Sequence, residues 1–331
     1  MATEQILFFS SDATQLYKAD IFRCLAAPDC FTIQFRYAKR WVQPDIGRDP
    51  EKIRGKSGIV VFVAGNEQTV PIERLQLKLY PIRFCKVQDA FFDHDTEKII
   101  VVLALGRFIE CKIETQEGPP KYYLTFGREI DHTALSWLAS VRRLQSHFPG
   151  VVFFRLKAVT TKSEIVCPTY LDDYRMSCFD LEEESDYSLE CLYYDPAGQG
   201  LLPLSIKCDS DQIEISNTFA FGAGSDLDRR PLHIKTRLLT SRSARAFTTF
   251  SSCANDCSDN PNYLQILWRI NRNKWKDCLF ALFVLPAAVG LGFVQLGSKA
   301  NPDWYWSLLV SFGALLIAAS GGLLYRYFNK T

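Results

Sequence analysis

Along most of the chain, apolar and polar positions alternate at short range. Runs rich in branched and aromatic residues include "CFTIQFRYAKRW", "GIVVFVAG", "KIIVVLAL", "RFIECKIE", "KYYLTFG", "VVFFRL", "SLECLYY", "LPLSIKC" and "QIEIS". Turn signals such as "VAGNEQ", "FDHDTE", "QEGPP" and "DPAGQG" separate them. A two-residue period punctuated by Gly, Pro, Asn and Asp predicts strands. One segment departs from it. In "DHTALSWLASVRRLQSHFPG", Leu135, Leu138, Val141 and Leu144 fall at helical spacing, with Asp131 as a cap and Pro149-Gly150 as the stop. The pattern predicts a mainly β fold: a barrel-like domain over 1–128, a linking helix over 129–149, and a second β domain, a small sandwich, over 150–258.

Near the C-terminus the pattern changes. "CLFALFVLPAAVGLGFVQL", from Cys278 to Leu296, carries no charge, and neither does "WYWSLLVSFGALLIAASGGLL", from Trp304 to Leu324. Each has about 20 residues, the length of a helix that crosses a roughly 30 Å hydrocarbon layer. "GSKANPD" between them has room only for a turn. The expectation over 259–331 is a juxtamembrane helix followed by an α-helical transmembrane hairpin. In "NPNYLQILWRINRNKWKD", Tyr263, Ile266, Leu267 and Ile270 fall near helical spacing and suggest a helical extension of the first span.

Flanking residues orient the hairpin. Arg269, Arg272, Lys274 and Lys276 precede it, and Arg326 follows it. The positive-inside rule then places both termini in the cytoplasm of a two-span bacterial inner-membrane protein, with Trp304 and Trp306 at the outer interface. Ala288 and Gly292, and Ala314, Ala318 and Gly322, repeat every four residues, a small-residue pattern that lets helices approach closely. The contact they serve is within one hairpin or between copies. Neither span holds an ionisable residue, which argues against a transporter or proton relay.

Composition refines this picture. Lys plus Arg number 38 against 37 Asp plus Glu, so no global bias points to nucleic acid. Eleven scattered cysteines, none in a C-x-x-C pair, suit buried free thiols in a reducing compartment. No signal peptide is evident. Charge is segregated in the second β region. Asp172, Asp173, Asp180, Glu182, Glu183, Glu184, Asp186 and Glu190 crowd one segment, and Arg229, Arg230, Lys235 and Arg237 another. The basic strip is either a solvated or neutralised face or a docking surface for a partner. Phosphate loops, a nucleophile elbow and paired metal-binding histidines are missing. One enzymatic pattern survives. Glu110 and Lys112 in "FIECKI", with Asp93 and Asp95 upstream, match the D…E-x-K spacing of metal-dependent nucleases, where carboxylates hold Mg²⁺ and Lys polarises the phosphate.

A large β module ending in "CLFALFVLPAAVGLGFVQL" and "WYWSLLVSFGALLIAASGG" resembles the retron-associated two-transmembrane effectors of bacterial anti-phage defence. "FTIQFRYAKRWVQPD…GIVVFVAG…YPIRFCKV" is similar to their N-terminal part. The resemblance implies a toxin of an abortive-infection system. A cytosolic protein or ribonucleoprotein partner, a reverse transcriptase with its RNA–DNA, would hold it inactive. Once released, it would damage the inner membrane by hairpin self-association. Its expected partners are the lipid bilayer, further copies of itself and that complex, with direct nucleic-acid contact left open. Catalysis, a metal and a cofactor are not expected. The alternatives are a non-enzymatic membrane-anchored scaffold or receptor domain, and a nuclease using Glu110 and Lys112.

Overall fold

The structure, a computed structural model, describes residues 4–65, 77–113, 120–148, 151–161, 164–196, 204–216, 227–239, 241–252, 263–273, 310–312 and 314. Strands dominate, as the alternation predicts. The first sheet contains β1 (Gln5–Ser11), β2 (Thr32–Ala38), β3 (Ser57–Ala64), β4 (Lys78–Asp93), β5 (Lys98–Glu110) and β6 (Leu124–Gly127), in the order β2-β5-β4-β3-β1-β6. A two-residue strand, β7 (Thr133–Ala134), pairs with the end of β5. Strands β1 and β3 run parallel, from Ile6 opposite Gly58 to Ser11 opposite Val63. Gly58 is required there. A Cβ at that position would lie 2.4 Å from the Phe8 ring and 2.6 Å from the Ile6 carbonyl oxygen.

This sheet curls until its ends meet. Beyond β2, Gln43 N–H donates to the Leu124 carbonyl at 2.9 Å, and Tyr123 N–H donates to the Trp41 carbonyl at 2.7 Å. Val42 and Leu124 form a parallel bridge. The β6 edge is thereby joined to the chain leaving β2, which satisfies backbone groups that an open edge would expose.

Two five-stranded sheets follow. One contains β8 (Phe153–Thr161), β9 (Glu164–Val166), β12 (Asp186–Tyr194), β14 (Ile213–Ile215) and β15 (Asp228–Thr236), ordered β14-β15-β12-β8-β9. The other contains β10 (Thr169–Leu171), β11 (Met176–Glu182), β13 (Ser205–Cys208), β16 (Ser243–Ser251) and β17 (Tyr263–Asn271), ordered β10-β11-β17-β16-β13.

Helix α1 (Gln15–Ala26) lies between these layers. The Thr14 side chain caps it by accepting Tyr17 N–H at 3.4 Å. The helix packs on β1, β2 and β4 and also on β8 and β17. That double contact explains why Ala19, Ile21, Phe22, Cys24, Leu25 and Ala26 are all buried. Phe22 meets Phe148 at 4.9 Å and stacks on Phe153 at 5.5 Å, while Phe31 stacks on Phe179, which packs on Trp268. One core therefore runs from the curled sheet into both smaller sheets, and Met1–Asn271 is one compact unit. Helix α2 (Trp137–Leu144) starts later than the sequence pattern predicts, capped by Ser136 rather than Asp131. Cys24, Cys85, Cys178 and Cys191 are buried, and the described cysteines are free thiols.

The C-terminal expectations need correction. The segment read as a juxtamembrane helix is strand β17, central in its sheet between β11 and β16. Leu264, Ile266, Trp268 and Ile270 recur every second residue and are buried. Leu267 is buried on the other face, and this two-sided burial mimicked helical spacing. Among the described residues, no helix is long and apolar enough to cross a membrane. The longest, α1, has 12 residues, about 18 Å at 1.5 Å per residue. The fold class with a transmembrane helical hairpin, and the two-span inner-membrane location, are therefore not supported. Absence of charge over about 20 residues makes a segment apolar, but it does not establish a continuous spanning helix. The two runs themselves lie outside the described residues, apart from the helical residues 310–312 and Ala314. The second unit, Arg272–Thr331, is described only at these positions and at Arg272 and Asn273.

The end of α1 is held by a buried cation. Arg83 in β4 is 0% exposed. Its guanidinium donates to the carbonyls of Cys24 and Ala27 at 2.8 Å, to Gly106 at 2.7 Å and to Asp29 Oδ1 at 2.5 Å. Arg155 in β8 donates to the same Asp29 oxygen at 3.0 Å. Both guanidinium groups stack on Phe108, 4.5 and 4.8 Å from its centroid. Burial lowers the Arg83 pKa to about 10, which leaves it charged at neutral pH. Replacing Arg83 with Ala orphans helix-end carbonyls and a carboxylate partner. We expect it to destabilise the fold by about 3–5 kcal/mol in urea denaturation. A loss under about 1 kcal/mol would contradict this role.

Candidate functional site

The sheet closure and α1 leave a cavity at their seam. Its volume is ≈ 130 Å³. Phe9, Ser10 and Ser11 come from the end of β1, Ala13 from the turn before α1, Tyr17 and Asp20 from α1, and Phe35 to Ala38 from the end of β2. Trp41 and Tyr123 complete it from the two chains that close the sheet. The rings support one another: Trp41 meets Tyr123 edge-on at 5.7 Å, and Tyr123 meets Phe9 at 6.4 Å. Trp41 is 40% exposed and marks the rim, whereas Phe35 and Tyr37 are buried.

Polar groups at the buried end are ordered. Ser10 Oγ donates to the Tyr17 carbonyl at 3.0 Å, and the Tyr37 hydroxyl donates to the Phe9 carbonyl at 3.2 Å. Burial pushes the Tyr37 hydroxyl well above its ordinary pKa, and neighbouring Asp20 adds to the rise. Asp20 is 7% exposed. Burial raises its carboxyl from 3.8 to about 7, against the opposing pull of Arg23 and Arg36. Arg23 donates to Asp20 Oδ1 at 3.2 Å. The same guanidinium bonds to the Tyr263 hydroxyl of β17 and lies 4.8 Å from that ring's centroid. The site carboxyl is thus linked in two steps to the second β region.

Two other concavities are more open. A groove of ≈ 1080 Å³ involves Leu7, Phe9, Leu79, Lys112, Ile113 and Phe126, with Lys121 and Arg128 opposed by Asp45, Glu129 and Asp131. A dip of ≈ 260 Å³ lies by Tyr170, Tyr174, Arg245 and Arg269. The seam cavity is distinguished by a buried ionisable group with a displaced pKa among aromatic walls, the combination expected of a ligand site.

The residues of the nuclease pattern do not converge. Asp93 ends β4, opposite Lys98, where it accepts bonds from Asp95 N–H and the Thr96 hydroxyl in a turn. Glu110 ends β5 at the opposite extremity. The 13 residues of β5 separate them by about 40 Å along the strand at ~3.3 Å per residue. Glu110 faces Arg143 at 3.7 Å, and Lys112 lies past the strand beside the large groove. Among the described residues, no three His, Cys, Asp or Glu side chains gather as a metal site.

The basic strip falls on β15 and just beyond it. Arg229 and Lys235 share an exposed face with His233, and Arg237 is exposed after the strand, while Arg230 lies on the opposite face and pairs with Asp228 at 3.1 Å. Acidic partners surround the exposed members. Lys235 stands opposite Asp186 and Glu214 in register, and Arg237 reaches Glu214 at 3.7 Å. Arg269 is committed to Asp180 on the neighbouring strand, with its Nη2 donating at 2.7 Å. Arg272 is exposed just past β17, and Ala314 is helical and exposed. Lys274, Lys276, Ala288, Gly292, Trp304, Trp306, Ala318, Gly322 and Arg326 lie outside the described residues.

No protein-family model matches the chain. No curated protein matches it either.

Sequence reasoning missed α1 and the cavity beside it. A signal was present. Thr14 stands in a capping position before "QLYKADIFRCLA", and Asp20 interrupts a run that includes Ala19, Ile21 and Phe22.

The raised Asp20 pKa has a definite sign. A carboxyl titrating higher in the folded chain stabilises the fold fully below about pH 4, and that contribution is lost as pH rises through about 7. Asp20→Asn removes the titration. The unfolding free energy of the native chain from urea denaturation should fall between about pH 4 and 7 relative to the variant, by on the order of a few kcal/mol in total. Parallel curves would contradict the assignment.

Proposed function

We propose that the Met1–Asn271 body is a ligand-responsive binding module, the receptor alternative taken without a membrane anchor. The observation that carries this reading is the seam cavity: a small, aromatic-walled space with a buried carboxyl, built from three elements and two closing chains. The Asp20–Arg23–Tyr263 connection supports a response as well as binding. A ligand that changes the Asp20 partnership alters Arg23, and Arg23 also holds β17. A ligand shifts an equilibrium only through different affinities for two states, and this link supplies a physical difference. The effector role is proposed in the same reduced form: a body whose surface a cytosolic complex holds and whose state the cavity sets. The nuclease reading is not carried forward, because Asp93 and Glu110 stand at opposite ends of the β4–β5 pair.

The experiment is recovery of a small molecule. The full chain is purified under native conditions from the cells that express it, then denatured, and the released compounds are identified by mass spectrometry. The reading predicts a compound near stoichiometric amounts from the native chain and at least about tenfold less from Trp41→Ala, a rim truncation that spares the core. Equal recovery from both proteins, or none from either, would contradict it.

A further inference from the structure

We propose that the seam cavity takes a compact ligand bearing an ammonium group. This rests on the reading of the chain as a ligand-binding module and names the chemistry of that same site.

At the buried end, two donors are already committed and their acceptors remain open. The Ser10 hydroxyl proton goes to the Tyr17 carbonyl and the Tyr37 proton to the Phe9 carbonyl, so both oxygens keep free lone pairs. Asp20 accepts from Arg23 through Oδ1, and among the described residues its second oxygen has no partner. Ser11, whose oxygen accepts Ala13 N–H, is the buried hydroxyl that can still donate, while the hydroxyls of Tyr17 and Tyr123 belong to half-buried side chains of the lining. The buried groups thus offer acceptors on Ser10, Tyr37 and Asp20 against the single donor of Ser11, which favours a ligand that donates at this depth, because an unpaired polar atom there is costly.

Charge narrows the class. Aromatic faces attract cations, and Trp41, Tyr37 and Tyr123 supply such rings around an ionisable carboxyl. A neutral donor would satisfy the lone pairs but use neither feature. Size narrows it further. A cavity of ≈ 130 Å³ is smaller than the roughly 300–1,000 Å³ of pockets that enclose drug-sized ligands, which favours a compact molecule. Arg36 is exposed and lines the same cavity. It offers a partner to the carboxylate of a zwitterion and nothing to a plain amine. The ammonium is common to both sources, and Arg36 separates them.

The test is calorimetric titration and thermal unfolding of the full chain with methylammonium chloride, glycine and ethanol at matched ionic strength. Methylammonium and glycine should bind saturably, and ethanol should not. Asp20→Asn should weaken both by at least about tenfold, and Trp41→Ala by several-fold. Trp41→Ala keeps the test open if Asp20→Asn does not fold. Loss of glycine binding alone in Arg36→Ala supports a zwitterionic amine, and no change in either supports a plain amine. Failure of the native chain to bind either ammonium probe, or binding untouched by Asp20→Asn and Trp41→Ala, overturns the proposal. If a neutral compound recovered from cells binds at the cavity while methylammonium does not, the ammonium assignment falls and the receptor reading stands.

Discussion

Arg83 is the constraint on which the arrangement of the layers depends. A guanidinium out of water is expensive unless its donors are used, and here they are used on the last carbonyls of α1, on Gly106 and on Asp29. Those carbonyls would otherwise be buried without partners at a helix end packed between layers. One side chain from β4 thus fixes where α1 stops. Asp29, just beyond the helix, then accepts Arg155 from β8. The two cations and Phe108 tie the curled sheet, the helix and the first smaller sheet at one point.

The other end of the helix is less constrained, and there the cavity opens. Thr14 caps α1, Ser10 anchors its first turn through Tyr17, and the sheet closes through Trp41, Val42, Tyr123 and Leu124. Closure brings the rings of Trp41 and Tyr123 over the ends of β1 and β2. Asp20 lies one and a half turns into the helix, on a face that the closure does not fill. Its raised pKa follows from that placement, since burial removes more solvation than Arg23 and Arg36 return. A folded scaffold that holds a poorly solvated carboxyl beside an aromatic-walled cavity suits a partner that can restore its interactions.

Much of the strand content was legible, because β-branched and aromatic residues alternate with a period of two and Gly, Asn and Pro mark the turns. The pairing order was not legible. It joins β2 to β5 and β11 to β17 across long separations that local pattern does not encode. β17 was misread because its burial on both faces fills positions that helical spacing also fills. Arg83 sits in "YPIRFCKV", where an arginine between apolar residues reads as a solvent-facing position, yet it is wholly buried. α1 was missed because twelve residues with a polar first turn give a weak periodic signal. The cavity followed it into obscurity, since Ser10, Asp20, Tyr37, Trp41 and Tyr123 meet only after α1 crosses the sheet and the sheet curls. The uncharged C-terminal runs were conspicuous for the opposite reason. Apolarity is read directly from composition, whereas the structure it takes is not.

The most direct measurement is the carbon NMR titration of the Asp20 carboxyl in the full chain, assigned by comparison with Asp20→Asn. The account predicts a midpoint near 7 in the free protein, moving to lower pH when methylammonium is added, because a bound cation favours the charged form. A midpoint near the ordinary 3.8, or one that methylammonium does not move, would show that Asp20 is neither buried as described nor the floor of a cation site.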